Sequence, residues 1–373
     1  RRSSDLQNLS LGQGIYLYNN GSQIRAGSVM QTGSSTYAGS TLGSYNASNV
    51  ASTSVGSVGY TQSIFTASNT VLSVSLAGPS GISPSARVSL VSGNDISSQG
   101  SEVALSSLDV GELTSLIPMP QTGNKTLALY QSSTGGNTLN SLQVISVSGT
   151  TPSAGTITQF GNANGSPSAV GVETAPNEVV IFYSDNNTLT GHYRFVDISG
   201  TTPTLSATST AAGTISTGFA GYSDLDLTLN GSSTLVFAYV SSGTIRLRAG
   251  TVNSAANSIS FGSEFNTGYV PDSIGLDAVL EVVSYATDKV ALTFSNNADS
   301  SFVHMALFNL SGTTITSNGV NQRIVAENPS VYGNDLIATA TGTSPVLVFS
   351  WSGVSGSDFK IMPITITGTN TIN

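Results

Sequence analysis

The sequence of 373 residues contains no cysteine, and only 8% of its residues are charged. Without cysteine, neither disulfides nor thiolate metal sites can stabilise the fold, so a hydrophobic core must do so alone. No run approaches the length of about 18 apolar residues that a transmembrane helix needs, so membrane insertion is not expected. The net charge is −9, and the 11 Lys and Arg form no basic stripe. Nucleic acid and anionic membranes are therefore not expected as partners.

Histidine is almost as scarce, because His192 and His304 are the only two in the chain. Two histidines without cysteine are too few for a zinc or haem site, so no metal and no cofactor is expected. Both histidines lie in runs typical of strands, where a structural role is the favoured interpretation. The Gly-x-Ser-x-Gly nucleophile elbow is absent, and no helical pattern is present to carry one. The sequence therefore predicts a protein that is not an enzyme.

Apolar residues make up 38% of the chain, and they return as short β-branched and aromatic runs between stretches rich in Ser, Thr, Gly and Asn. Such runs can bury a core, so the low charge indicates an ordered protein with an uncharged surface rather than a disordered one. Four of them have the same texture: NEVVIFYS at 177–184, STLVFAYV at 233–240, KVALTFSN at 289–296 and PVLVFSWS at 345–352. The pattern predicts an all-β protein.

The tetrapeptide SGTT occurs at 148–151, 199–202 and 311–314, each time between two runs of alternating apolar and polar residues. This arrangement is typical of a hairpin turn. Equivalent turns recur with a mean spacing of about 56 residues, near Gly33, Gly93, Gly149, Gly200, Ser254, Gly312 and Gly368. Each unit has room for four strands, so the pattern predicts a seven-bladed β-propeller of four-stranded antiparallel blades. A tandem of β-sandwiches and a β-solenoid are the alternatives.

The repeat also predicts the domain limits. A propeller spans 13–373, with an extended N-terminal segment at 1–12 and blades at approximately 13–57, 58–111, 112–161, 162–213, 214–268, 269–327 and 328–373. Too few residues follow the last turn for a full outer strand, so segment 1–12 either closes the ring or pairs with a neighbouring subunit. The chain begins without Met or an apolar stretch, which predicts a mature, processed or truncated sequence.

Units such as IRLRAGTVNSAANSISFGSEFN at 245–266 resemble the repeats of seven-bladed propellers in secreted, surface and tail-fibre-like proteins of bacteria, phages and environmental sequences. The resemblance covers nearly the whole chain and rests on the texture of strands and turns. It implies the propeller fold and an extracellular or cell-surface location. It carries over no catalytic residues.

Three aspartates open the weak first strand of the last three units, namely Asp226, Asp277 and Asp335. First strands line the central channel of a propeller, so three carboxylates at one mouth could hold a cation or a sugar, or act as an acid–base pair. The alternative is that each aspartate bonds its own backbone where a turn enters a strand.

Eight Asn-x-Ser/Thr sequons allow glycosylation, about the number that this composition gives by chance. They lie at Asn8, Asn20, Asn46, Asn124, Asn164, Asn186, Asn230 and Asn309.

Three functions fit these observations. The favoured one is a non-enzymatic extracellular subunit that assembles with itself into a filament or appendage through tail or edge-strand pairing. The second is a carbohydrate-binding adhesin or a phage receptor-binding propeller, with glycans as partners. The third is a propeller glycosidase or lyase, which would require the aspartate cluster.

Overall fold

The apolar and alternating runs of the sequence form antiparallel strands. In the computed structural model, the described residues are 14–19, 24–29, 58–67, 69–77, 83–92, 95–105, 109–134, 137–162, 169–185, 190–206, 210–211, 225–271, 280–300, 302–325, 335–340, 345–352, 359–367 and 371–372. These residues contain no α-helix, and their only helical turns are 3₁₀ segments at Ser254–Ala256 and Asn297–Asp299. The all-β prediction is confirmed.

The described residues form seven antiparallel sheets that follow one another in sequence order. The first has two strands, β1 (Gly14–Asn19) and β2 (Ile24–Val29). The second comprises β3 (Val58–Ala67), β4 (Thr70–Ala77), β5 (Ser83–Ser92) and β6 (Asp95–Gln99), with β7 (Val103–Ala104) also paired to β5. The third comprises β8 (Asp109–Pro118), β9 (Lys125–Thr134), β10 (Asn137–Ser148) and β11 (Thr151–Asn162).

Each of the next two sheets has a short extra strand paired to its third strand. The fourth comprises β12 (Ala169–Ala175), β13 (Glu178–Asp185), β14 (Thr190–Ser199) and β15 (Thr202–Leu205), with β16 (Thr210–Ala211) paired to β14. The fifth comprises β17 (Leu225–Asn230), β18 (Thr234–Ser241), β19 (Thr244–Asn253) and β20 (Ser258–Phe261), with β21 (Phe265–Asn266) paired to β19.

The last two sheets are plain four-stranded meanders. The sixth comprises β22 (Leu280–Ala286), β23 (Lys289–Asn296), β24 (Phe302–Ser311) and β25 (Thr314–Val325). The seventh comprises β26 (Asp335–Ala340), β27 (Val346–Ser352), β28 (Phe359–Thr367) and β29 (Thr371–Ile372). The final strand has two residues, as the short end of the last repeat predicts.

The second strand of an inner sheet is covered on both faces, which explains why the sequence there is continuously apolar. In β13, Val180 and Phe182 pack against the fifth sheet. Val179, Ile181 and Tyr183, which alternate with them, pack against the third sheet. Successive side chains of a strand point to opposite faces, so each of the third to sixth sheets contributes to two cores. The hydrophobic core is therefore a series of layers, each between two consecutive sheets.

First strands of consecutive sheets lie side by side, from β3 to β8, β12, β17, β22 and β26. Side chains join them to the neighbouring backbone. The Asp226 carboxylate accepts a hydrogen bond from Val282 N at 2.6 Å, and Thr228 Oγ1 accepts one from Ser284 N at 3.1 Å. Sheets that follow in order, pack face to face and bring their first strands together form a β-propeller. The propeller prediction is confirmed, and the number of blades stays a prediction.

The repeated SGTT segments form the turn between the third and fourth strands. Their glycines, Gly149, Gly200 and Gly312, have φ angles of 59°, 62° and 58°. This left-handed conformation is costly for residues that carry a Cβ, so the turn requires glycine.

A second glycine meets the same turn from the preceding sheet. A Cβ on Gly155 of β11 would lie 2.0 Å from the carbonyl oxygen of Thr201, in the turn of the fourth sheet. Gly100 approaches Thr150 of the third sheet in the same way, and Gly262 approaches Thr313 of the sixth. The repeat of SGTT therefore reflects a repeated contact between neighbouring sheets as well as a hairpin turn.

Three further predictions concern the N-terminal segment, the blade limits and membrane helices. Segment 1–12 lies outside the described residues, so its pairing stays a prediction. Strand β8 begins at Asp109, before the predicted blade start at 112. No helix among the described residues is long and apolar enough to span a membrane.

Candidate functional site

An aromatic residue near the end of one strand faces a basic residue on the next strand in five of the seven sheets. The backbone register gives the pairs Tyr18–Arg25, Tyr183–His192, Tyr239–Arg246, Phe294–His304 and Trp351–Lys360. The second and third sheets have Ser75–Ser85 and Tyr130–Ser141 at this place. We call the space around the second member of each pair the slot of that sheet. Both histidines and three of the 11 Lys and Arg occupy it.

In the fifth sheet the slot contains a cation, a carboxylate and a phenol. Arg246 Nη1 lies 3.4 Å from Glu264 Oε1, and the Tyr239 hydroxyl donates to Glu264 Oε2. The Arg246 and Glu264 side chains are 20% and 31% exposed, so solvent reaches both. Arg248, two residues further along β19, donates from Nε to Gly262 O at 3.0 Å and lies over the Phe261 ring. Tyr239 is fully buried and forms the floor beneath the charged pair.

In the sixth sheet a histidine takes the place of the arginine. His304 Nε2 lies 2.8 Å from Asp299 Oδ2, and His304 Nδ1 lies 3.0 Å from Asn321 Oδ1. Asp299 comes from the 3₁₀ turn after β23, which Asn296 caps by accepting from Ala298 N. Arg323 Nη1 lies 3.7 Å from Asp299 Oδ2. The aromatic residue opposite His304 is Phe294, which is fully buried.

The second sheet has a related charged pair. Ser85 occupies the slot and donates to Glu102, and Arg87 Nη2 lies 3.3 Å from Glu102 Oε2. Glu102 directly precedes β7, and Glu264 directly precedes β21. Because β7 and β21 pair with the third strand at the same register, the two glutamates are equivalent.

The slot of the third sheet is closed by its own side chains. Tyr130 donates to Gln143, and Gln143 Nε2 donates to Leu105 O and Gly155 O, both at 2.8 Å. Both residues are buried, and no charged side chain takes part in these hydrogen bonds. This slot is a structural network rather than a candidate site.

In the slot of the fourth sheet, the basic side chains form no ion pair with a carboxylate of the described residues. The His192 and Tyr183 rings stack with centroids 5.7 Å apart and planes at 24°. Arg194 follows two residues later on the same face of β14. Both ring nitrogens of His192 and the Nε of Arg194 are buried. None of these three atoms has a hydrogen-bond partner among the described residues.

The aspartates proposed from the sequence fall in different situations. Asp226 lies in β17 and bonds the backbone of β22, which is a structural contact. Asp335 is the first residue of β26, but its side chain is not described, and Asp277 lies outside the described residues. The three-carboxylate site therefore stays a prediction, and the one described carboxylate contacts a neighbouring strand.

Three sequons lie in described residues. Asn124 is exposed in the turn between β8 and β9, and Asn309 is half-buried in β24. Asn230 is only 4% exposed, and its Nδ2 donates to Ser284 Oγ and Ala286 O at 2.7 Å each. A glycan on Asn230 would break both contacts between sheets, so this sequon is a poor acceptor. The others lie outside the described residues: Asn8, Asn20, Asn46, Asn164 and Asn186.

The buried tyrosines predict alkaline instability. Burial raises the pKa of Tyr130, and burial followed by the bond to Glu264 raises that of Tyr239, from the usual value of 10.0. Above that value the unfolded chain loses phenol protons that the folded chain keeps. We expect the free energy of unfolding to fall by about 1.4 kcal/mol per pH unit for each such tyrosine. Urea denaturation between about pH 9 and pH 11 measures this slope. The slope should be smaller in Tyr130→Phe. A free energy of unfolding that does not change with pH over this range would contradict the expectation.

The fold has relatives among solved structures. No protein-family model and no curated protein matches the chain. Prolyl oligopeptidase B from Galerina marginata superposes with a TM-score of 0.50 at 9% identity, over 98% of this chain and 51% of that one. NanB sialidase from Streptococcus pneumoniae gives 0.49 at 10% identity, over 83% and 68%. A fucose-specific lectin from Aleuria aurantia gives 0.44 at 16% identity, over 82% and 90%. The chain spans about half the length of the oligopeptidase.

These similarities correct one prediction. The expectation that the protein is not an enzyme is wrong, because structures of the same fold include the oligopeptidase. A missing nucleophile elbow excludes one catalytic arrangement and says nothing of others that a propeller can carry. Nothing in the comparisons supports a self-assembling filament or a homo-oligomer. At these identities the comparisons show that the chain has the fold of β-propeller proteins.

Proposed function

We propose that the protein binds carbohydrate in the slots between its sheets. The observation that carries the proposal is that a partly exposed pair of a basic and an acidic side chain lies at the slot or two residues beyond it in three sheets, as Arg87–Glu102, Arg246–Glu264 and His304–Asp299. Exposed ion pairs contribute only about 0–1 kcal/mol to stability, so stability does not account for their recurrence in so weakly charged a chain.

Each pair offers a donor next to an acceptor. A guanidinium or imidazole N–H donates to a hydroxyl oxygen, while the carboxylate accepts from a neighbouring hydroxyl. Two adjacent hydroxyls of a neutral sugar satisfy both groups at once, and hydrogen bonds to charged groups are the stronger kind. Several slots on one molecule would bind a branched or repeated glycan with higher avidity than a single sugar. The extracellular location implied by the family resemblance belongs with this proposal.

An array of immobilised glycans, including fucosides, tests the proposal. The double variant Arg246→Ala/His304→Ala removes the basic side chains of two slots and should lower the signal of bound glycans at least tenfold, because surface avidity falls with each lost site. Lys125→Ala is the matched control, since it removes a positive charge at the opposite end of the strands, and it should leave the signal unchanged. Absence of any bound glycan, or full binding by the double variant, would overturn the proposal.

A further inference from the structure

In the slot of the fourth sheet, unlike those of the second, fifth and sixth sheets, no carboxylate of the described residues pairs with a basic side chain. In the second and fifth sheets a glutamate stands directly before the short strand that pairs with the third strand. The equivalent short strand of the fourth sheet is β16, whose Ala211 pairs with His192 as Asn266 pairs with Arg246. The residue before β16 in the sequence is Ser209. Aligned on these short strands, the sequence therefore has serine where the second and fifth sheets have glutamate, while the third strand keeps the basic residues His192 and Arg194.

The basic residues of this slot keep the register that the fifth sheet shows. His192 occupies the slot and stacks on Tyr183, and Arg194 corresponds by register to Arg248 of the fifth sheet. Beyond them, Val196 and Ile198 continue the same face into the core shared with the third sheet. Tyr183 is fixed in that core, and the imidazole stacks on it. His192 and Arg194 are only partly buried as whole residues, so the slot reaches the surface.

Three buried nitrogens in this slot have no partner among the described residues, namely both ring nitrogens of His192 and Nε of Arg194. A buried polar atom without a partner costs about 1–3 kcal/mol, so such an atom calls for a partner such as an ordered water, an ion or a ligand group. No carboxylate of the described residues forms an ion pair with either side chain. Nε of Arg246 in the fifth sheet also has no partner among the described residues, but that guanidinium pairs with Glu264 through Nη1.

We propose that the slot of the fourth sheet binds the carboxylate of an acidic sugar, of the uronic or sialic acid class. The inference rests on the proposed carbohydrate-binding function. The ligand carboxylate takes the place of the missing glutamate, accepting from the Arg194 guanidinium and from one N–H of His192. A planar guanidinium matches a carboxylate with two parallel hydrogen bonds, which favours arginine for this role. Neutral sugars bind the acid-containing slots, and acidic sugars bind this one.

Titration of the wild-type protein with monovalent glycosides, followed by proton NMR, tests the inference. The chain has only two histidines, so it has only two imidazole Hε1 signals, and His304→Gln assigns them. Methyl glucuronide should shift the His192 signal, whereas methyl glucoside, which differs only in lacking the carboxylate, should shift the His304 signal. A methyl sialoside extends the comparison to the second acid class. Sodium acetate controls for binding of a free carboxylate.

Calorimetry of Arg194→Gln and Arg194→Lys gives a second measurement. Affinity for the acidic glycoside should fall at least tenfold in Arg194→Gln and less in Arg194→Lys, which keeps the charge and loses the planar fork. Lys125→Ala should bind like the wild type. Thermal unfolding checks that each variant is folded, and the NMR titration stands without any variant.

The outcomes separate the two proposals. If neither glycoside binds, the carbohydrate-binding function fails and this inference fails with it. If the glucoside binds and the glucuronide leaves the His192 signal unmoved, or Arg194→Gln binds the glucuronide fully, only the inference is overturned. Acetate that binds as tightly as the glucuronide would overturn the assignment to a sugar.

Discussion

Replacing Gly155 by alanine is expected to lower the free energy of unfolding by about 3 kcal/mol, at the upper end of what overpacking usually costs. The new methyl group would lie 2.0 Å from the carbonyl oxygen of Thr201 and 2.8 Å from its Cβ. Neither atom is the flexible end of a side chain, so the fourth sheet must move away from the third. Urea denaturation followed by fluorescence measures the change.

Gly123→Ala is the matched control for this substitution. Gly123 has a φ of 70°, and a Cβ there would meet no atom within 4 Å. It therefore carries the conformational cost of alanine without the clash, about 1 kcal/mol. Equal effects of the two substitutions would show that the close approach of the sheets does not contribute, contrary to the expectation.

Loss of the Glu173 side chain should destabilise the fold by a similar amount. Its carboxylate is 3% exposed and accepts hydrogen bonds from Gln121 N at 2.6 Å, from Thr122 N at 2.8 Å and from the Thr122 hydroxyl. Glu173→Ala leaves two backbone N–H groups in the turn of the third sheet without an acceptor. Because such groups and bonds to a charge are each costly to lose, we expect about 3 kcal/mol.

Two further variants give this prediction its scale. Glu173→Gln keeps one acceptor oxygen and should have an intermediate effect on the denaturation midpoint. Glu102→Ala removes a glutamate from an exposed ion pair, which is worth less than about 1 kcal/mol. The prediction is contradicted if Glu173→Ala costs no more than Glu102→Ala.

Much of the fold could be predicted from the sequence, because its signals are local. Turns such as the one at Gly200 are recognisable by glycine and its polar neighbours, and the apolar runs are long enough to identify second strands. The packing of first strands around an axis follows once the repeat is recognised. The contact between Gly155 and Thr201 could not be predicted, since the two residues belong to different sheets.

The slots were missed because they depend on register across a hairpin. The aromatic end of each second strand is visible in the sequence, as Tyr183, Tyr239, Phe294 and Trp351 in the four apolar runs. Their partners become visible only when the loop of each hairpin fixes which residues stand opposite, and loop lengths differ between units. Glu264 lies further still from Arg246 in sequence. Attention to Asp226 was justified by its position, but its carboxylate serves the neighbouring strand.

The two-sided burial of the second strands has a consequence for how the chain finds its register. When one face of a strand is exposed to solvent, its register is fixed, because a slip by one residue would put its apolar side chains in water. A slip of β13 would only exchange Val180 and Phe182 with Val179 and Ile181, apolar for apolar. Hydrophobicity therefore cannot distinguish the correct alignment from its neighbour. That information must come from groups that tolerate a single position, such as Gly200 with its left-handed backbone and Glu173 with its fixed donors.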